Sequence, residues 1–417
     1  MDVCKRLVDR HQRILAHFAY DAYETSFMCP AARYQDEIET HRFIPNPYFL
    51  YFTMFAERDV VADSKLKVDI TMNPPRMTLT LFGKNDTITG IKYDKTDIRL
   101  RNIVYNDYSS VYLGTPLMTD YHKKIIDNVR FIKDEWELSQ IRQAILITKK
   151  AFRNMMLFLK NDLSNSRKTE NKLESIFMES VIQNNAEVAY APIIASKHNA
   201  AYIHYTQNNS IIRNDSFLLM DCGVKNKYGY CADITRTVFV SKTKRDMNFI
   251  QQQIYDAIQS AHDICVDSFH SKITFQQLNH QCIVSFITSF SNFIKHTNTE
   301  THKHKYAVWN SGIDACISCR NGDLTTNTFQ MASQFISNFY THFIGHHVGL
   351  IVHDGEQFNY TNEIIQPGSV ITIEPGLYFK PEISFSVPNE YMNIGGIRIE
   401  DMYYVEDNGK LSLLSDF

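Results

Sequence analysis

The sequence predicts an α+β fold in two parts, a smaller N-terminal α/β domain at residues 1–129 and a larger C-terminal domain at residues 130–417. Three observations predict it. Short aromatic and β-branched runs separated by turn signals fill the first part. A long amphipathic segment behind an acidic cap opens the second. Further helical segments and two pairs of apolar strand runs follow, the mixture expected of an α+β chain.

In the first part, Pro47 to Phe55 (PYFLYFTMF) and Arg76 to Gly83 (RMTLTLFG) are strand-like, and Asn73-Pro74-Pro75 and Lys84-Asn85-Asp86 read as turns. A boundary follows near residues 128–134. Asp134 is then the expected N-cap of a helix, with Glu135 and Glu137 in its first turn, where a carboxylate meets the exposed N–H groups. Leu138, Ile141, Ile145, Thr148 and Phe152 recur at helical spacing behind that cap. Further helices are expected over Glu170 to Ile182 and Met247 to Ser268. Ser216 to Val224 and Thr235 to Val240 form one strand pair around a turn near Tyr228-Gly229. Gly368 to Phe379 and Gly395 to Val405 form another. The polar stretch from Asn298 to Asn327 gives no assignment, and no solenoid repeat or low-complexity tract occurs.

Composition narrows the function classes. A chain of 417 residues with 44% hydrophobic and 21% charged residues is long enough for ordinary buried cores. A formal net charge of −3 supplies no field for nucleic acid or an anionic membrane, and Lys123-Lys124 and Lys149-Lys150 read as solvated helix faces. The first residues lack a signal-peptide pattern, and no run of eighteen apolar residues occurs, so no membrane partner and a cytoplasmic location are expected. Eight scattered cysteines do not form a disulfide framework. Cys316 and Cys319 form a lone CxxC without the further ligands of a zinc site and read as reduced thiols.

The chemistry is carried by acids placed inside apolar strands. Asp221 ends FLLM, Asp233 lies twelve positions on across a hairpin, Glu374 interrupts VITIEPG, and Glu400 ends GGIRIE. A carboxylate in such a strand is costly unless paired or bound to a metal. One could be a core salt bridge, but Arg398 neutralises only one of four, whereas two divalent cations would neutralise them all. A histidine cluster joins them: His342, His346, His347 and His353, set among Gly345, Gly349 and Gly355. Its HxxxH spacing lacks the glutamate of the common zinc-protease helix. His347 reads as a packing or surface residue and Asp354 as a turn residue rather than a ligand. Tyr378 reads as near the site or as core.

As an ordered set, YIHYTQNN, LLMDCG, CADITRTVFV, HFIGHHVGLIVHD, ITIEPGLYF and GGIRIEDMYYV resemble the pita-bread metallopeptidases, and within them aminopeptidase P. RFIPNPYFLYFTMF is similar to that family's N-terminal domain. The resemblance implies a C-terminal pita-bread catalytic domain. It implies Asp221, Asp233, His346, Glu374 and Glu400 as ligands of two divalent ions, with Arg398 holding Asp221. It implies His204, His353 and Glu374 as catalytic groups, with His342 and Arg398 beside the substrate. Oxygen-rich ligands with one imidazole favour Mn²⁺, with Co²⁺, Fe²⁺ or Zn²⁺ as alternatives. The implied reaction is hydrolysis of the first bond of peptides with proline second, by a hydroxide shared between the ions. A homo-oligomer acting on peptide substrates is implied as well.

Two departures stand out. The Asp221–Asp233 connection is one residue longer than the family's usual pattern, so a turn insertion at Lys225 to Tyr228 is expected. The N-terminal part is also shorter than is usual for aminopeptidase P. The rival readings are a prolidase, which takes Xaa-Pro dipeptides, and a non-catalytic relative using the same fold to bind peptides. Methionine aminopeptidase suits the N-terminal part and HYTQN poorly.

Overall fold

The computed structural model describes residues 120–417, apart from 162–167, 242–245, 294–305, 324, 356–359, 384–386 and 417, together with five short strands before residue 93. The chain divides into two compact units, Met1–Ile132 with Lys227–Tyr230, and Lys133–Asn226 with Cys231–Phe417. In the first unit, β1 (Ser26–Pro30), β2 (Lys65–Asp69) and β3 (Arg76–Thr80) form an antiparallel sheet in that order, and β4 (Thr87–Ile88) pairs with β5 (Ile91–Lys92). The strand expected at Arg76 is β3. Pro47 to Phe55, the two turn signals and RFIPNPYFLYFTMF lie outside the described residues. Helix α1 (Asp120–Phe131) runs through the expected domain limit at residue 129.

The second unit opens with α2 (Glu135–Asn161). Asp134 caps it: Oδ1 accepts from the amides of Trp136 (3.0 Å) and Glu137 (2.8 Å), and Glu137 accepts from the Asp134 amide (3.0 Å). Ile141, Ile145, Thr148 and Phe152 form its buried face. Helix α3 (Glu170–Gln183) follows, buried along Glu170, Leu173, Phe177 and Val181.

The site is carried by two strand systems. In the first, β6 (Glu187–Val188) pairs with β9 (Val224–Lys225), while β7 (Ile193–Ser196), β8 (Ser216–Asp221) and β10 (Thr235–Val240) form an antiparallel sheet with β8 central. Asp221 pairs with Thr235, and the same register continues to Lys225 opposite Cys231. The ladder therefore keeps one register up to the turn at 226–230.

Between the two systems lie α4 (Phe249–Asp267), α5 (Phe275–Phe290), α6 (Ala307–Arg320) and α7 (Thr326–Ile336). Capping boxes start α4 (Asn248 with Gln251) and α5 (Thr274 with Gln277). Helix α6 occupies the stretch left without assignment. Its buried Trp309, Gly312, Ile313 and Cys316 follow helical spacing, and Trp309 packs against Phe290, Phe293, Phe335, Phe339 and Tyr391. Cys316 and Cys319 are free thiols on this buried face, and burial pushes Cys316 up to about 12.

The second system is an antiparallel ribbon. Strand β11 (Val370–Ile373) pairs with β14 (Asp401–Val405), β12 (Gly376–Tyr378) with β13 (Gly396–Arg398), and β15 (Leu411–Leu413) pairs antiparallel with the other edge of β14. One register runs through both halves, from Ile373 opposite Asp401 to Gly376 opposite Arg398. It places Glu374 opposite Glu400, at the break where Pro375 offers no N–H. A short helix, α8 (Asn389–Met392), precedes β13. The two systems meet where Glu400 bridges Thr235, its amide donating to the Thr235 carbonyl at 3.2 Å.

Candidate active site

All nine residues singled out in the sequence line one cavity of about 760 Å³: His204, Asp221, Asp233, His342, His346, His353, Glu374, Arg398 and Glu400. The strand systems explain why. Asp221 ends β8, and Asp233 sits diagonally from it on the return strand, opposite Gly223. Glu374 and Glu400 face each other across the ribbon, brought beside Asp221 and Asp233 by the Thr235–Glu400 bridge. His342 and His346 come from residues 342–348, which run along β11, while His353 follows that stretch and His204 precedes β8. The Glu374 amide donates to Ile344 O (2.8 Å) and the Thr372 amide to His346 O (2.9 Å). Gly345 permits that approach, since a Cβ there would lie 2.1 Å from the Thr372 carbonyl oxygen.

Three overlapping groups have ligand atoms within 4.8 Å of one another: Asp221, Asp233 and Glu400; His346, Glu374 and Glu400; and Asp233, His346 and His353. His346 Nε2 lies 3.3 Å from Asp233 and 3.4 Å from Glu374. Its Nδ1 is 3.1 Å from the His347 carbonyl, which holds the proton on Nδ1 and leaves Nε2 to face the carboxylates. His353 meets the His346 ring edge-on at 4.3 Å.

One guanidinium serves this cluster from below. Arg398 donates to Asp221, to Thr235 Oγ1 (3.0 Å) and to Tyr378 Oη (2.7 Å). Thr235 passes a hydrogen bond on to Glu400 (2.7 Å). Tyr378 Oη lies 2.8 Å from His342 Nε2, and His342 Nδ1 lies 2.8 Å from Phe343 O. Both ring nitrogens of His342 are thus engaged within the protein, and it presents its ring to the cavity. Tyr378, which the sequence left between site and core, is buried and joins Arg398 to His342.

Sequence reasoning missed Tyr190. Its hydroxyl lies 2.6 Å from Asp221 Oδ1 and 2.5 Å from Asp233 Oδ1. Gly223 makes room for its ring, because a Cβ there would lie 2.6 Å from Tyr190 Cε1. The only available signal was that glycine, placed across the hairpin from Asp233. His347 packs against Phe275 and Tyr360, in keeping with the packing reading. Asp354 is a turn residue, and it is also buried against Lys133 Nζ at 3.5 Å.

The electrostatics describe a cation site. Burial raises Asp221 and, well above the usual carboxylate range, Glu400, with neighbouring carboxylates adding to both. Burial lifts Glu374 to about 7. His346 resists the opposing effect of burial and rises to about 9, because Asp233 and Glu374 face it. Burial, aided by Arg398, drops His342 to about 3. Four clustered carboxylates sharing one arginine fit oxygen-loving divalent ions.

This arrangement has a pH signature in protein stripped of metal. Between about pH 6.5 and 9 the native His346 holds a proton that the unfolded chain releases, and Glu374 does the same up to about 7. His342, neutral in the native state, offsets part of this only near pH 6.5, where the unfolded imidazole is still about half protonated. The native state binds more protons, so stability falls as pH rises through this window. The urea midpoint measured in chelator is expected to drop from pH 6.5 to 9.

A profile of metallopeptidase family M24 matches residues 139–407. The chain belongs to this family. Relatives of this M24 chain include a probable Xaa-Pro aminopeptidase of Metarhizium acridum, 27% identical over 84% of this chain and 66% of the relative. Another is Xaa-Pro aminopeptidase 2 of Streptomyces coelicolor, 27% identical over 69% of this chain and 54% of the relative. The chain thus spans about half to two thirds of the length of these relatives. Its fold is that of aminopeptidase P from Escherichia coli with the inhibitor Pro-Leu, with a TM-score of 0.72 and 20% identity over 100% of this chain and 95% of the other. Proline aminopeptidase P II from Yersinia pestis gives a TM-score of 0.69 at 20% identity over 99% and 96%. The pita-bread α+β architecture expected from the sequence is the one found. Among the described residues no helix is long and apolar enough to cross a membrane.

Proposed function

We propose that the chain is an Xaa-Pro aminopeptidase whose site takes two divalent ions, preferably Mn²⁺, on Asp221, Asp233, His346, Glu374 and Glu400. The observation that carries this is the convergence of these five side chains in overlapping groups within 4.8 Å, on the wall of a cavity large enough for a short peptide. The names of the relatives support the substrate class. When bound, the ions supply Lewis acidity and a water acidic enough to act as nucleophile near neutral pH.

The chain's own residues do the rest. Arg398 and Tyr190 hold Asp221, and Thr235 holds Glu400, so the ligand oxygens are fixed before substrate arrives. His204 and His353 line the same cavity and donate to the oxygen of the scissile carbonyl as it gains charge. Glu374, on the wall of the same cavity, carries a proton to the leaving proline nitrogen. His342 and the Arg398–Tyr378 chain shape the wall for the proline ring. We place the N-terminal domain limit at residue 129, and we assign the chain to the cytoplasm as a homo-oligomer.

The test compares Xaa-Pro-Yaa tripeptides with Xaa-Pro dipeptides in Mn²⁺, with products identified by mass. Release of the free N-terminal residue from the tripeptides is expected. Cleavage confined to dipeptides would make the chain a prolidase. No cleavage of either, with no metal retained, would leave a non-catalytic peptide-binding relative.

A further inference from the structure

His204 is exposed in the cavity, yet it stands on a stretch with little regular structure. After the 3₁₀ turn at Lys197–Ala201 the chain runs to Ser216 without a strand or helix. Such a stretch cannot by itself hold an imidazole in place. The fold supplies the missing constraint from α3. Glu170, fully buried at the first position of that helix, gathers four donors from the two ends of the stretch. Oε1 accepts from the Ser196 amide (2.7 Å) and Asn199 Nδ2 (2.9 Å). Oε2 accepts from Tyr205 Oη (2.8 Å) and the Ser210 amide (2.9 Å). The Glu170 amide in turn donates to Ser210 O at 3.0 Å.

The local packing converts this clamp into a direction for His204. Its neighbours Ile203 and Tyr205 pack against the cluster of Ile193, Ala195, Ala200, Leu219 and Tyr378. His204 between them lines the cavity together with Ile203 and Thr206. Asn208 pins the far side, accepting from the Ile194 amide (2.9 Å) and donating to Pro192 O (2.8 Å). A carboxylate suits the Glu170 position because all four partners donate and neither oxygen needs a proton. An amide there would turn an NH₂ group toward two donors, and at least one backbone N–H would lose its acceptor whichever way it lay.

We propose that Glu170 is a positioning residue for His204, acting on the reaction only through the placement of that imidazole. The proposal rests on the peptidase reading. Its test is a double-mutant cycle of Glu170→Gln and His204→Ala, read as kcat and KM on an Xaa-Pro-Yaa tripeptide with Mn²⁺. Bound Mn²⁺ and amide hydrogen exchange over residues 197–210 are measured on the same samples. Glu170→Gln is expected to lower kcat by about ten- to a hundredfold, with Mn²⁺ content unchanged and exchange across 197–210 faster. In the His204→Ala background it is expected to cost less than about twofold. An equal loss in both backgrounds, or unchanged exchange, would overturn the proposal. Tyr205→Phe removes one donor from the clamp and is expected to act in the same direction but less, which keeps the test open if Glu170→Gln fails to fold. If the unsubstituted protein cleaves no tripeptide, the peptidase reading fails and the proposal falls with it. The exchange data would then report only whether Glu170 holds the segment.

Discussion

Asp233→Ala is expected to bring bound Mn²⁺ from two ions per chain to one or fewer and to lower kcat/KM by about a thousandfold or more. Asp233 belongs to two of the three convergent groups, one with Asp221 and Glu400 and one with His346 and His353. Glu400 and His346 also belong to two groups each, but among the described residues only Asp233 joins the Asp221–Glu400 group directly to the His346–His353 group. Removing it opens the side of the site that Tyr190 and His346 now close, at 2.5 and 3.3 Å. Lewis-acid stabilisation by a bound ion contributes several kcal/mol, and each ~1.4 kcal/mol is a factor of ten. Metal analysis after gel filtration and steady-state kinetics check the two parts separately. Retention of two ions with full activity would remove Asp233 from the ligand set.

Arg398→Leu is the second large effect, and it falls on stability. The guanidinium is buried with Asp221, their side chains 5% and 10% exposed, and it also bonds Thr235 and Tyr378. Its removal leaves Asp221 without its cation, Glu400 with a weaker support through Thr235, and Tyr378 without its donor. Breaking a buried pair by deleting one partner costs about 3–5 kcal/mol, because the other charge stays buried. Urea unfolding of metal-stripped protein should show a loss of that size, and added Mn²⁺ should restore part of it. A loss below about 1 kcal/mol would show that the carboxylates do not depend on this arginine.

Much of the second unit is legible in the sequence because its rules are local. The cap at Asp134 and the buried face from Ile141 to Phe152 follow from spacing alone. So do strands β8 and β10: the apolar run of β8 ends in Asp221, and Asp233 stands two residues ahead of β10, acids whose cost demands an explanation. The ladder keeps one register from Asp221–Thr235 to Lys225–Cys231, which sets Asp233 opposite Gly223.

What escaped the reading depends on contacts distant in sequence. Tyr190 sits in EVAYAP, where nothing marks it, and acquires its role only when Gly223 leaves space beside Asp233. Glu170 reads as an ordinary first-turn acid, and only the fold returns Ser196, Asn199, Tyr205 and Ser210 to it. Helix α6 was hidden because its polar surface surrounds a narrow buried stripe of Trp309, Gly312, Ile313 and Cys316. The constant ribbon register that sets Glu374 opposite Glu400 is likewise a property of pairing, invisible in either strand alone.

The central claim is that five side chains hold two divalent ions at one point. Anomalous diffraction at the manganese edge, from crystals grown with Mn²⁺, tests it most directly. The account predicts two peaks per chain, one among Asp221, Asp233 and Glu400 and one among His346, Glu374 and Glu400. A single peak elsewhere, or none in this cavity at saturating Mn²⁺, would contradict it.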